Sequence, residues 1–70
     1  MLEYSVIPQD GKWVMRESGA VFPCREERTK EKILAFVEIH CRGRNAQVVI
    51  YREDGIIEAT NTYTLKPWGA

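Results

Sequence analysis

Thr29-Lys30-Glu31-Lys32-Ile33-Leu34-Ala35-Phe36-Val37-Glu38-Ile39-His40-Cys41-Arg42-Gly43 is the stretch on which the fold turns. At 100° per residue, Phe36, His40, Ile33, Val37, Cys41 and Leu34 fall within one arc of about 160°, and Glu31, Glu38, Ala35 and Arg42 take the opposite side. The spacing predicts an amphipathic helix over residues 29–41, lying with one face on a sheet. Its ends agree with that reading. Thr29 can cap the start, its hydroxyl accepting from a backbone N–H that the helix leaves unpaired. Lys32 stands where a reciprocal capping box would carry Glu or Gln, so the cap is one-sided. Gly43 can take the positive φ that closes a helix, and His40, Arg42 and Arg44 put positive charge where the dipole favours it.

Each side of this helix carries a pair of strands. On the N-terminal side, Leu2 to Pro8 alternates, with Tyr4 and Val6 on one face and Ser5 and Ile7 on the other. Pro8 lacks a ladder donor and marks the strand's end or an edge. Gln9-Asp10-Gly11 supplies the reversal, and Lys12 to Arg16 returns with Trp13 and Met15 pointing one way. Glu17-Ser18-Gly19 turns again, Ala20 to Pro23 extends or caps the sheet, and the polar run Cys24 to Arg28 reads as loop. On the C-terminal side, Ala46 to Arg52 holds the β-branched and aromatic run Val48-Val49-Ile50-Tyr51. Glu53-Asp54-Gly55 reverses it, and Ile56 to Tyr63 is the returning strand. The expected fold is α+β, ββαββ: one amphipathic helix packed on a four-stranded, mostly antiparallel sheet, its strand order open. Residues 1–63 form this single domain, with core positions at Trp13, Ile33, Leu34, Val37, Val48 and Ile50, and residues 64–70, which include Pro67 and Gly69, form a tail.

The totals bound what such a domain can do. Seventy residues bury roughly 60% of the surface of the unfolded chain. One core of that size supports a net stability of about 3–5 kcal/mol, with nothing left over for a deep walled cavity. Ten basic residues cancel ten acidic ones, so no global field draws the chain to nucleic acid or anionic lipid. No apolar run approaches the ~20 residues of a membrane span, and Met1-Leu2-Glu3-Tyr4 is not the start of a secretory signal. The expectation is a cytoplasmic protein, with Cys24 and Cys41 as free thiols in a reducing compartment.

Several of these segments match a known pattern. Val6-Ile7-Pro8, Gly11-Lys12-Trp13-Val14-Met15, Gly19, Thr29, Glu31, Ile33, Val48-Val49-Ile50 and Asp54-Gly55 with Ile57 resemble the short bacterial proteins of domain-of-unknown-function family twenty-one eighty-eight. The pattern there runs V-x-P, G-x-W-x-V, a T-x-x-E-A-I helix start and V-V-H-x-x-D-G-x-I. The resemblance covers about positions 4 to 58. It implies the fold and, because that family has no assigned activity, no mechanism. Two departures are visible. Lys32, Phe36 and His40 stand where the family's helix tends to carry alanines, which implies a helix that stands off the sheet or is rotated. Tyr51 replaces a histidine usual in the third strand.

Residues with chemical potential are few. His40-Cys41 is the one adjacent base and nucleophile, but neighbours on a helix point about 100° apart. Cys24, His40 and Cys41 are three soft ligands where a structural zinc site takes four, without a C-x-x-C. Glu26-Glu27 and Glu53-Asp54 lie in loops or turns, where solvation keeps carboxylates from the pKa separation that hydrolytic pairs need. No catalytic residue, metal or cofactor is therefore expected. The sequence favours a non-enzymatic interaction module that binds itself as a homodimer or an unidentified protein, with no membrane, and with Tyr51, Ile56 and Trp68 as candidate contacts. Trp68 either folds back or enters a partner. The alternative is nucleic-acid binding through Arg25, Arg28, Lys30, Lys32, Arg42 and Arg44 with sheet aromatics as stacking platforms, although Glu26, Glu27, Glu31 and Glu38 interleave with these cations.

Overall fold

Residues 1–64 are described by a computed structural model. Strands β1 (Leu2–Gln9), β2 (Lys12–Glu17) and β3 (Arg25–Glu27) precede helix α1 (Lys30–Cys41), and strands β4 (Ala46–Tyr51) and β5 (Ile57–Tyr63) follow it. They form one five-stranded sheet in the order β3-β2-β1-β4-β5. β1 and β4 run parallel at its centre, and the other three neighbouring pairs are antiparallel.

The α+β class and the single helix agree with the sequence; the strand count does not. Arg25–Glu27, read as loop, is a third strand, and the sheet is five-stranded and mixed rather than four-stranded. The two corrections have one cause. Counting crossings of the sheet, β1 runs up, β2 down, β3 up and α1 down, so β4 must run up, parallel to β1. Without β3, the same count makes β4 antiparallel. Ala20 to Pro23, expected to extend or cap the sheet, lies outside every strand. Its carbonyls instead hold β2: Arg16 Nη1 donates to the oxygen of Val21 at 2.7 Å.

Local chemistry explains the boundaries. Asp10 and Gly11 form the two-residue β1–β2 connection, with Gln9 opposite Lys12. Both carry positive φ, 51° and 77°, the geometry whose twist matches a hairpin. Thr29 is the N-cap of α1, and its Oγ1 accepts from the Lys32 N–H at 3.2 Å. At the other end the chain re-enters beside its own start, where the Leu2 N–H donates to the Asn45 oxygen at 2.9 Å.

The core lies between α1 and one sheet face. Ile33, Val37 and Cys41 of the helix meet Tyr4 and Val6, Trp13 and Met15, and Ala46, Val48 and Ile50, all buried. Leu34, predicted for the core, is half-buried at its margin. On β4 the alternation is complete: Ala46, Val48 and Ile50 are buried while Gln47, Val49 and Tyr51 are half-exposed on the other face. Val14, also on that other face, is nevertheless only 2% exposed. It shares a shallow depression with Arg16 and with Pro23, so the 18–24 loop shelters this end of the sheet.

Candidate interaction edge

The two edges of the sheet differ in build. β3 is three residues long, Arg25-Glu26-Glu27, and every side chain on it is charged. Arg25 Nε donates to Glu27 at 2.7 Å, and the Arg25 guanidinium lies 4.9 Å from the centre of the Phe36 ring. A short, charged edge of this kind discourages a further strand. β5 is seven residues long, Ile57-Glu58-Ala59-Thr60-Asn61-Thr62-Tyr63, and carries one charge. Among the described residues no strand pairs with its outer side.

The single charge on β5 is accounted for by a bulge. Ile50 opposes Ala59 and Tyr51 opposes Ile57, so Glu58 is an extra residue in the ladder. The displacement turns Glu58 to the helix side, where it pairs with Lys30. A second polar strap joins the same elements, the Tyr63 hydroxyl donating to Glu38 at 2.8 Å. Burial, reinforced by that carboxylate, pushes the Tyr63 phenol up to about 12. The register places Ala59, Asn61 and Tyr63 on the helix side and Thr60 and Thr62 on the other.

Apolar surface gathers at the start of this edge. Ile56 is 57% exposed and Ile57 54%. Of the contact candidates read from the sequence, Ile56 is thus in solvent beside β5, and Tyr51 is half-buried opposite Ile57. Trp68 lies outside the described residues. Sequence reasoning missed Asn61 and the two threonines as part of an edge, although the scarcity of charge in 57–63 is visible in the residues themselves. Val21 and Phe22, 79% and 80% exposed on the loop beyond the opposite edge, were also missed.

The cationic candidates do not form one surface. Arg28, Lys30 and Lys32 stand at the start of α1 and Arg42 and Arg44 beyond its end, separated by the roughly 18 Å length of a 12-residue helix, while Arg25 lies against the helix flank at Phe36 and is paired to Glu27. Lys30 is held by Glu58 and sits 5.1 Å from the centre of the Trp13 ring. Arg28 and Lys30 share with Arg52 an open cleft of about 680 Å³ over Trp13. Its walls hold as many acids, Glu53, Asp54 and Glu58, and Arg52 is paired to Asp54 at 2.8 Å.

The His40-Cys41 pair is divided as its spacing predicts. Cys41 is fully buried, and burial raises its thiol pKa. His40 stacks on Phe36 at 5.3 Å and meets the Tyr4 hydroxyl at 3.2 Å through Nε2. Phe36 and His40, two of the departures from the alanine pattern, therefore line the flank of the helix beside Arg25 and Tyr4. Cys24 is exposed, and both cysteines are free. Among the described residues no three His, Cys, Asp or Glu side chains are grouped to hold a metal, and no helix is long and apolar enough to cross a membrane.

Residues 4–63 match the family described as "Uncharacterized protein conserved in bacteria (DUF2188)", and the chain belongs to that family. Comparison with curated proteins and with solved structures gives no match.

Proposed function

We propose that this protein is a non-enzymatic interaction module whose sheet accepts a strand from another protein chain at β5. The observation that carries the reading is the contrast between the edges: β3 is short and fully charged, whereas β5 offers seven residues with its one carboxylate turned aside to Lys30. Main-chain hydrogen bonds from an added strand supply affinity, and the side chains that alternate along the edge supply selectivity. Exposed Ile56 and Ile57 add apolar area at one end of the contact. The balance of cations and acids around the cleft, and the division of the remaining cations between the helix ends, favour a protein partner over a polyanion.

Affinity capture from bacterial lysate tests this reading, with and without nuclease, using the native chain beside Asn61→Lys. The lysine places a solvated charge in the middle of the edge. A protein retained after nuclease treatment by the native chain and lost by the variant is the expected result. Retention that vanishes with nuclease and weakens steeply with salt would give the surface to nucleic acid instead.

A further inference from the structure

The pattern along β5 is self-complementary, and we infer that the strand it accepts is β5 of a second copy, antiparallel, with Asn61 on the two-fold axis. This rests on the edge reading above and adds the partner and the register. In a continuous sheet with a two-fold perpendicular to it, opposed residues must point to the same face, so the axis passes through a residue and not between two. The bulge at Glu58 then selects among the choices. Regular alternation holds only over 59–63, because Glu58 and Ala59 both lie toward the helix. Centring the pair on Asn61 keeps all five regular residues in register: Ala59 opposes Tyr63, Thr60 opposes Thr62, and Asn61 opposes itself. Centring on Thr60 brings Glu58 of the helix side against Thr62 of the other face and leaves three residues in register.

The chemistry of the Asn61 register is consistent throughout. No charged side chain lies within it, so no like charges face each other. The large Tyr63 ring is set against the small Ala59 at both ends, and two threonine pairs lie on the opposite face. Asparagine opposite asparagine can exchange amide hydrogen bonds across the axis. The product is a ten-stranded sheet with a short, charged β3 at each outer edge, closed against further growth.

The test is cysteine cross-linking in a Cys24→Ser background, which removes the exposed native thiol. Asn61→Cys alone, and an equimolar mixture of Thr60→Cys with Thr62→Cys, are oxidised mildly beside each threonine variant alone. Directly opposed pairs are close enough to bridge, and diagonal ones are not. One of the two direct combinations is a non-hydrogen-bonded pair, the closer kind, so one of them gives a disulfide dimer several times more abundant than either threonine variant alone. A dimer bridged best at any other position overturns the register. A native chain whose mass stays at 8.1 kDa at every concentration overturns self-pairing. That second result leaves the edge to another chain or to residues 65–70, and the lysate capture then decides the interaction reading separately.

Discussion

Replacing Val37 by aspartate probes the contact on which the domain depends. Val37 is 1% exposed and sits between Ile33 and Cys41 in a core to which, among the described residues, no buried polar or charged residue contributes. Losing the buried valine forfeits about 1.5 kcal/mol. The incoming carboxylate would be taken out of water among apolar side chains with no charged residue in the cluster, and a buried ion without a counter-charge costs several kcal/mol more. The sum reaches the whole stability of about 3–5 kcal/mol that a domain of this size sustains. Val37→Asp should therefore be unfolded in plain buffer by far-ultraviolet circular dichroism and show no cooperative urea transition. Ala35→Asp is the control, since Ala35 faces solvent on the same helix and the change costs about 0.7 kcal/mol or less. A Val37→Asp protein with a cooperative transition near that of Ala35→Asp would refute the packing described here.

Other perturbations test single joints. Thr29→Ala removes the side-chain acceptor for the Lys32 N–H and should cost about 1 kcal/mol in urea titration. Gly55 turns β4 into β5 with φ 86° in open space, so Gly55→Ala is strained by its backbone alone and should cost about 1–2 kcal/mol. Tyr63 binds its proton more tightly folded than unfolded, so its contribution is complete below the ordinary phenol pKa of 10.0 and is lost as pH rises through about 12. Tyr63→Phe should remove a phenolate absorbance step near pH 12 and soften the alkaline loss of stability.

Much of this architecture is written in local patterns. The helix was legible because Ile33, Val37 and Cys41 recur on one face and Thr29 and Gly43 bracket it; the hairpins were legible through Asp10-Gly11 and Asp54-Gly55. β3 was not legible, since Arg25-Glu26-Glu27 has neither apolar alternation nor β-branched residues. Its pairing with β2 and the placement of Arg25 over Phe36 are tertiary contacts that no three-residue window displays. The parallel pairing of β1 and β4 was lost with it, because direction depends on how many times the chain has crossed the sheet. The candidate site was half legible. Tyr51 and Ile56 were singled out from the apolar runs of the C-terminal hairpin, but which strand of that hairpin forms the edge depends on strand order.

The central claim is that the β5 edge joins two copies of this chain. Light scattering of the native protein and Asn61→Lys across about a hundredfold range of concentration tests it most directly. The native chain should rise from 8.1 kDa toward twice that mass while the variant, equally folded by circular dichroism, stays at 8.1 kDa. A native mass fixed at 8.1 kDa throughout, or a variant that associates as readily as the native chain, would contradict it.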